Sequence, residues 1–419
     1  MSMSESVFES AYRGSAKVRW LYNLVRVSRL VGAKALREEI DQKVERIARR
    51  KSELDGKTLE LIVENLLLAK INKRILDFRI RAYEPSVKKD SPTHEFKPKL
   101  DNRGYTYEMS SCPIYKEKHF RLGNHPSILV PGFVPDGNEA FYLLRKVFLK
   151  YGSVYYLNYP TQSFDRTVMF HQLYDLIKDI NYRKFKNAGQ KGAPFLVGTS
   201  FGCSLILSFI RWLKETGLRS DLDIQGVILI SPVLCLEDVV DPNEKRQKTL
   251  VGRAISHLYE IDEFDSEAVQ KAMSKARNIF IKMFTSGRDM LNFTSKDLIP
   301  VFAIEDHVLS IFDNDIGIDS GFFRRYLDLK YEKPLEETYL TSIPALVLFA
   351  EGEEDVLAAN SPTLATFSDI ERLRTIFPNG GVEFVYSKDS GRRVTHSDLI
   401  FQAERFAEHL EPWLERFGQ

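Results

Sequence analysis

The sequence predicts an α/β protein with a doubly wound, mostly parallel sheet, a helical insertion and an all-helical amino-terminal extension. From about residue 95 onward, short apolar runs of strand length alternate with stretches of helical periodicity, as a doubly wound sheet requires. Residues 1–90 and 235–343 instead repeat their apolar residues at helical spacing. We therefore expect three parts: an extension over 1–95, an α/β domain over 96–419, and a helical segment over 235–343 inserted in that domain.

The extension is basic. Residues 1–90 contain 20 Lys and Arg against 13 Asp and Glu, whereas the whole chain of 419 residues has a net charge of +1. Basic side chains surround the apolar Trp20, Leu24 and Val27; they are Arg13, Lys17, Arg19, Arg26 and Arg29. This composition is typical of helices that dock on an anionic membrane or an acidic partner. The alternative is that the apolar face packs on the α/β domain and the basic residues face solvent.

The α/β domain begins after Lys88–Thr93, a polar stretch that we interpret as a linker. From about residue 95 the pattern changes to short strands, and Tyr105–Met109 and Ile114–His119 are predicted as two of them. Ser153–Leu157 is predicted as a further strand, and Phe170–Phe185 as a helix.

The most informative segment is a Gly-x-Ser-x-Gly sequence, Gly198–Gly202, between an apolar run at Phe195–Val197 and a helix-length apolar stretch at Leu205–Trp212. A serine on a sharp strand-to-helix turn has a strained backbone and an exposed hydroxyl. The helix start supplies free N–H groups and the positive end of a dipole, which stabilise a developing oxyanion. The segment therefore predicts a nucleophile at Ser200.

In this segment the sequence resembles the α/β-hydrolase family, which orders its catalytic residues as nucleophile, acid and histidine. The family often places the acid after a late strand, and the apolar run at 344–350 is followed by Gly352-Glu-Glu-Asp355. The resemblance implies Asp355 as the acid, with Glu353 and Glu354 as close competitors. Some members take the acid from the preceding strand, which here lies at 224–233. The candidates after that strand are Glu237, Asp238 and Asp241.

Two of the eight histidines follow Asp355. His409 lies within the predicted final helix, and we interpret it as a surface residue. His396 lies between a predicted strand, Val382–Tyr386, and that helix, and a loop at this place can bring an imidazole to Ser200. The family often has glycine before this histidine, where this sequence has Thr395. The resemblance implies that His396 accepts the serine proton, while Asp355 orients the ring and stabilises the imidazolium.

The strand-to-turn segment Ser127–Phe133 is the place where the family provides one oxyanion donor. The resemblance implies the backbone N–H groups of Phe133 and Phe201 as the two donors. Many relatives have His-Gly before the first donor, whereas this sequence has Pro131, which leaves Val134 as an alternative to Phe133.

The resemblance implies a carboxylic ester hydrolase that forms an acyl-enzyme on Ser200. The alternatives are an acyltransferase with the same three residues and a catalytically inactive binding protein of the same fold. The resemblance also implies that the helical insertion over 235–343 is a cap over the active site. This cap is rich in apolar residues, which include Phe280, Ile281, Met283, Phe284, Met290 and Phe293. They form either the cap's own core or part of an acyl-chain pocket.

Composition limits the cofactors and partners that we expect. The spacing of Cys112, Cys203 and Cys235 matches no metal site or disulfide framework, and there is no phosphate-loop signature. We therefore expect no cofactor, no metal and no nucleic-acid partner, and a small-molecule ester as substrate. The first residues lack the basic-then-apolar order of a signal peptide, so we expect a cytoplasmic protein.

Overall fold

The structure is a computed structural model. It describes residues 38, 42–45, 56–101, 107–118, 125–134, 136–182, 192–244, 246–259, 261, 264–289, 301–302, 304–305, 308–309, 317, 319–336, 338–388 and 393–418. The chain divides into two compact units, one from residues 1–80 and 284–307 and the other from residues 81–283 and 308–419. The predicted three-part division remains a prediction. The basic residues around Trp20 lie outside the described residues.

The second unit is built on an eight-stranded sheet in the order β1-β2-β4-β3-β5-β6-β7-β8. Its strands are β1 (Ile80–Ala82), β2 (Ile114–Glu117), β3 (Ser127–Val130), β4 (Val154–Leu157), β5 (Phe195–Thr199), β6 (Gly226–Ile230), β7 (Ala345–Ala350) and β8 (Gly380–Val385). Strand β2 runs antiparallel to β4, and every pairing from β4 through β3 to β8 is parallel. This is an α/β fold with a mostly parallel sheet, as the sequence predicts.

Helices alternate with these strands. The α-helices with described bounds are α1 (Gly56–Arg79), α2 (Thr93–Asp101), α3 (Tyr107–Ser110), α4 (Gly137–Ala140), α5 (Arg145–Phe148), α6 (Arg166–Tyr182), α7 (Phe201–Glu215), α8 (Leu250–Tyr259), α9 (Ser266–Asp289), α10 (Gly321–Tyr331), α11 (Pro362–Phe367), α12 (Ile370–Ile376), α13 (Asp398–Phe401) and α14 (Ala403–Phe417). Three short 3₁₀ helices are Leu218–Asp221, Leu236–Asp238 and Glu353–Asp355. Among the described residues, none of the helices is both long enough and apolar enough to span a bilayer.

The central strands are buried along their whole length, which explains their continuous apolar sequences. Every residue of β3, β5, β6 and β7 is buried. A parallel sheet covered by helices on both faces needs apolar side chains at every position rather than at alternate ones. Because these strands are parallel, their carboxyl ends meet along one edge of the sheet. The segments that follow β3, β5, β7 and β8 carry the predicted nucleophile, acid, histidine and oxyanion donors, and the segment after β6 carries the alternative acids.

The start of the sheet differs from the prediction. The predicted strand Tyr105–Met109 is wrong, because residues 107–110 form the one-turn helix α3. Side-chain bonds replace sheet pairing here: the Ser111 hydroxyl donates to the Tyr107 carbonyl, and Gln172 accepts from the Cys112 N–H at 2.8 Å. The strand beside β2 is β1, which lies within the predicted extension.

The predicted linker at Lys88–Thr93 is part of the second unit and is bonded to α6. Ser91 and Thr93 are buried, and both hydroxyls donate to the Asp175 carboxylate on α6. The polar residues that suggested a linker exposed to solvent instead donate the hydrogen bonds that a buried carboxylate requires.

In the first unit, α1 is buried at every position from residue 62 to residue 67. Its buried apolar residues are Ile62, Val63, Leu66, Leu67 and Ala69. Lys43 and Glu305, both buried, form an ion pair at 3.9 Å. In its described residues the predicted cap segment is helical, with α8, α9 and α10.

Candidate active site

Ser200 occupies a strained turn between β5 and α7. Its backbone angles are φ 51° and ψ −123°, a left-handed region that non-glycine residues rarely adopt. Such a conformation costs about 1–3 kcal/mol and persists only where the surroundings enforce it. The Ser200 N–H donates to the Ile230 carbonyl at 2.9 Å, and the Ser200 carbonyl accepts from the Cys203 N–H at 3.0 Å. The serine side chain does not cap the helix, so the turn leaves its hydroxyl for another use.

The two glycines of the motif are required by close packing of strand and helix. A Cβ at Gly202 would lie 2.3 Å from the Val130 carbonyl oxygen and 2.4 Å from that of Pro131. A Cβ at Gly198 would lie 2.9 Å from the Cys203 nitrogen. These are backbone atoms that cannot move aside, so larger residues would push the start of α7 away from β3 and β5.

His396 is paired with a buried carboxylate. Its Nδ1 lies 2.7 Å from Oε2 of Glu353, and the two side chains are 10% and 4% exposed. The other Glu353 oxygen, Oε1, accepts from the Ala350 N–H at the end of β7 at 2.7 Å. Both carboxylate oxygens are therefore held, and the imidazole is oriented by a group that is itself fixed.

This hydrogen bond determines the tautomer of His396. An ionised carboxylate only accepts hydrogen bonds, so Nδ1 must carry a proton. In the neutral ring Nε2 then has a free lone pair and can act as a base. Within the described residues the structure contains no hydrogen bond between the Ser200 hydroxyl and His396; such bonds are often long before substrate binds.

The structure corrects the choice of Asp355 as the carboxylate against His396. Residues Glu353–Asp355 form a 3₁₀ helix, in which successive side chains point about 120° apart. Only one of the three can face the histidine, and it is Glu353. Glu354 and Asp355 are exposed, and Glu354 pairs with Arg393. The sequence offered all three acids, and nothing in their spacing distinguished them.

The alternative acids after β6 have other roles or positions. Asp238 is fully buried, and its carboxylate accepts five hydrogen bonds. The donors are the N–H groups of Leu234, Cys235 and Thr363 and the hydroxyls of Ser361 and Thr363. This carboxylate ties the segment after β6 to α11 and has its acceptor sites filled. Glu237 is exposed.

His409, the second candidate histidine, lies on α14. Its Nδ1 is 2.6 Å from Oε2 of Glu383 on β8, and the two side chains are 28% and 47% exposed. This agrees with the interpretation of His409 as a surface residue.

The loop after β3 runs beside the nucleophile. A Cβ at Gly132 would lie 3.1 Å from the Ser200 Cβ and 3.7 Å from the Ser200 Oγ. Next to it, the rings of Phe133 and Phe201 pack edge to face with centroids 5.5 Å apart. In the described part of the chain, no protein acceptor takes the N–H of Phe133 or of Phe201. The two predicted oxyanion donors therefore belong to residues in contact with each other, and both N–H groups are free to donate.

An aromatic series extends from this loop to the predicted cap. Phe322, at the start of α10, packs on Phe133 with centroids 4.7 Å apart, and Phe280 of α9 packs on Phe322 at 5.7 Å. Phe322 was missed by the sequence reasoning, because an apolar residue at a helix start gives no signal of what it contacts. Of the other predicted cap residues, Phe284 is buried in the first unit, and Met290 and Phe293 lie outside the described residues.

No cluster of His, Cys, Asp or Glu among the described residues has an arrangement that could hold a metal ion. Burial raises the pKa of the Cys203 thiol well above its ordinary value, and nearby Glu353 raises it further. This cysteine is therefore a neutral packing residue below the nucleophile turn.

Comparison with known proteins shows likeness in fold alone. No protein-family description matches the chain, and no curated protein matches it in sequence. The structure is similar to a thermophilic esterase from Thermogutta terrifontis, with 14% identity, a TM-score of 0.47, and coverage of 74% of this chain and 95% of that chain. It is also similar to a carboxylesterase from Bacillus subtilis, with 13% identity, a TM-score of 0.45, and coverage of 85% and 98%.

A third similar structure is an esterase from Exiguobacterium antarcticum, with 13% identity, a TM-score of 0.45, and coverage of 73% of this chain and 96% of that chain. At these identities and scores the likenesses say nothing about activity, which has to be argued from the site itself.

Proposed function

We propose that the protein is a serine hydrolase of carboxylic esters, with Ser200 as nucleophile, His396 as general base and Glu353 as the carboxylate that orients the imidazole. The observation that supports this most is the buried hydrogen bond between His396 and Glu353. Glu353 follows β7 and His396 follows β8, so the pair lies at the same edge of the sheet as the strained Ser200 turn. A nucleophile, a base and an oriented carboxylate are the groups that acyl transfer requires.

The reaction has two balanced halves. The Ser200 oxygen attacks the ester carbonyl carbon while His396 Nε2 takes the hydroxyl proton. The tetrahedral intermediate collapses, the bond to the alkoxide oxygen breaks, and His396 returns the proton to the leaving alcohol. Water then attacks the acyl-serine by the same route and releases the carboxylic acid and free Ser200. Glu353 holds the ring in one tautomer and stabilises the imidazolium in both halves.

The negative charge of each tetrahedral intermediate needs hydrogen-bond donors. The N–H groups of Phe133 and Phe201 are the proposed pair, because the loop carrying the first runs against Ser200 and the second begins α7. At the first position of a helix, the N–H also benefits from the positive end of the helix dipole. Each donor in such a site is typically worth about 10²–10³ in turnover.

The substrate is proposed to carry an apolar acyl chain. The aromatic series from Phe133 through Phe322 to Phe280 leads away from the nucleophile turn and would offer an apolar wall to such a chain. We expect nitrophenyl esters of medium chain length to turn over faster than the acetate. Phe322→Ala should reduce this preference, whereas Phe349→Leu, a control at a ring that stacks on Phe384 within the sheet, should leave it unchanged. Fastest turnover of the acetyl ester would contradict the proposed chain.

The test of the activity itself is ester turnover by Ser200→Ala beside Ser204→Ala. Ser204 lies one turn further along α7, is buried, and donates to the Leu234 carbonyl. Ser200→Ala should lower turnover by about 10⁴-fold or more, since the nucleophile oxygen is lost. Ser204→Ala should keep turnover within about threefold, because its hydroxyl bonds only to the backbone. A folded Ser200→Ala protein with retained turnover would rule out the proposed mechanism.

A further inference from the structure

Tyr159 connects the segment after β4 to the loop that carries the first proposed oxyanion donor. The residue is 6% exposed, and its phenol hydroxyl donates to the Pro131 carbonyl oxygen at 2.6 Å. Strands β3 and β4 are parallel neighbours, so the loops that follow them emerge side by side. The hydrogen bond from the Tyr159 hydroxyl therefore links the segments that follow two adjacent strands.

The Pro131 carbonyl is well placed to control the donor loop. It belongs to the planar peptide that joins Pro131 to Gly132, so fixing the carbonyl direction also fixes the Gly132 N–H, which points the opposite way. Gly132 is the residue that runs against Ser200, and the Phe133 N–H lies in the next peptide. The same carbonyl oxygen also abuts Gly202 on α7. A single acceptor atom is thus in contact with both segments that carry proposed donors.

The Arg325 guanidinium packs over the Tyr159 ring. Its guanidinium carbon lies 4.6 Å from the Tyr159 ring centroid and 6.0 Å from that of Phe133, and the residue is buried. Arg325 lies on α10, whose start is held by backbone bonds to the segment after β4. The Gly321 N–H donates to the Thr161 carbonyl at 2.7 Å, and the Ser163 N–H donates to the Asp319 carbonyl at 3.0 Å.

We propose that Tyr159, backed by Arg325, is a positioning residue that fixes the loop from Pro131 to Phe133 so that the Phe133 N–H meets the developing oxyanion. This inference rests on the proposed function. Burial keeps the hydroxyl protonated, since it raises the pKa of the Tyr159 phenol well above its ordinary value, although Arg325 opposes the rise. The phenol is therefore protonated and able to donate at neutral pH.

A displaced donor affects the transition state and leaves substrate binding nearly unchanged. Misplacement by about 1 Å can cost about 10² in rate. Tyr159→Phe keeps the ring under Arg325 and removes only the hydroxyl. We expect kcat for a nitrophenyl ester to fall about 10- to 100-fold while KM stays within about twofold. Rates are normalised by active-site titration, so a loss of folded protein does not count as a loss of kcat.

The matched control is Tyr156→Phe. Tyr156 is also buried, and its hydroxyl donates at 2.7 Å to Glu117 on β2, away from the donor loop. Both variants lose one buried hydroxyl, so both should lower the midpoint of thermal unfolding. Only Tyr159→Phe should lower kcat.

A trifluoromethyl ketone provides a readout that a purely structural role would not change. Its adduct with Ser200 carries a charged oxygen in the position of the oxyanion. Tyr159→Phe should weaken ketone inhibition by the same factor by which kcat falls, and Arg325→Lys should produce a smaller loss in both, because lysine lacks the planar guanidinium that stacks on the ring. Equal loss in Tyr156→Phe, or unchanged kcat and ketone affinity in both Tyr159→Phe and Arg325→Lys, would overturn the inference.

The two hypotheses fail in different ways. If the wild-type protein does not hydrolyse esters, or Ser200→Ala still does, then the proposed function is wrong. If the wild-type protein is active and Ser200→Ala is not, while Tyr159→Phe and Arg325→Lys retain full kcat, then only the positioning role of Tyr159 is wrong.

Discussion

Among the described residues, two histidine–glutamate pairs have nearly the same contact distance but lie in very different places. In the pair His396–Glu353 the Nδ1–Oε2 distance is 2.7 Å, and in the pair His409–Glu383 it is 2.6 Å. The first pair is 10% and 4% exposed, whereas the second is 28% and 47% exposed. Contact alone therefore does not identify a site, since both pairs have it.

The difference lies in burial and in what surrounds each pair. The Glu353 carboxylate has its second oxygen fixed by the Ala350 N–H, and the pair lies in loops at the carboxyl edge of the sheet. The pair His409–Glu383 joins a helix to an edge strand, and water screens it. Exposed ion pairs contribute about 0–1 kcal/mol. We infer that the first pair serves chemistry and the second has at most a small effect on stability.

The strongest test of this comparison removes each imidazole in turn. His396→Ala should lower kcat/KM for a nitrophenyl ester by about 10⁴- to 10⁶-fold, because it removes the proposed acceptor of the serine proton. His409→Ala should change it by less than about twofold. Steady-state kinetics on titrated enzyme measure both. Equal losses in the two variants would remove the distinction between the pairs.

A second test removes the negative charge and keeps the shape. Glu353→Gln should lower kcat by about 10⁴-fold, because the amide favours the wrong imidazole tautomer and cannot stabilise the imidazolium. Glu383→Gln provides the same change at the exposed pair and should leave kcat unchanged within about twofold. If Glu353→Gln retains more than a tenth of the activity, the carboxylate has no catalytic role.

A third histidine sharpens the comparison through stability. His171 on α6 is buried, stacks on Phe96 with ring centroids 4.0 Å apart, and approaches the hydroxyl of Thr93 rather than a carboxylate. Burial lowers the pKa of His171 from 6.5 to about 4. Between pH 6.5 and pH 4 the His171 imidazole is protonated in the unfolded chain but not in the folded protein. The free energy of unfolding therefore falls as the pH drops through this range.

His171→Phe should remove this part of the pH dependence while keeping the stacking. The wild-type protein should lose about 2 kcal/mol more than the variant between pH 7 and pH 5, and the two should respond alike above pH 7. Urea unfolding at a series of pH values measures the difference. An identical slope in the two proteins would show that His171 is not buried in its neutral form.

The smallest expected effect is at Asp355. The side chain is exposed and does not contact His396 in the described residues, so Asp355→Asn should change kcat by less than about threefold. Asp238→Asn should instead lower stability by a few kcal/mol, because a buried carboxylate that accepts five hydrogen bonds loses its charge and part of its bonding. A large loss of kcat in Asp355→Asn with little loss in Glu353→Gln would restore the acid implied by the sequence.

Much of the fold could be predicted from the sequence. Apolar runs such as 195–199 and 345–350 are fully buried strands, and the alternation of strands and helices gave the mostly parallel sheet. The predicted strand at 105–109 is wrong because its sequence fits a strand as well as it fits a helical turn. A bond from the Ser111 hydroxyl to the Tyr107 carbonyl stabilises the helical turn.

The site was less predictable. The Gly-x-Ser-x-Gly sequence fixes the position of Ser200, because close backbone contacts require both glycines. The choice among Glu353, Glu354 and Asp355 depends on which of the three side chains the 3₁₀ turn directs towards His396, 43 residues after Glu353, and no local pattern contains that information. The role of Tyr159 depends on a neighbouring strand in the same way.

The most direct test of the account is covalent labelling by a fluorophosphonate with peptide mapping, carried out on the wild-type protein, Glu353→Gln and Glu383→Gln. The reagent phosphonylates a serine, with loss of fluoride, at an appreciable rate only when a base removes the hydroxyl proton. We predict that the label falls on Ser200, that Glu383→Gln labels at the wild-type rate, and that Glu353→Gln labels at least about 10³-fold more slowly. Labelling at another residue, or equal rates in the two variants, would contradict the claim that the buried histidine–glutamate pair activates Ser200.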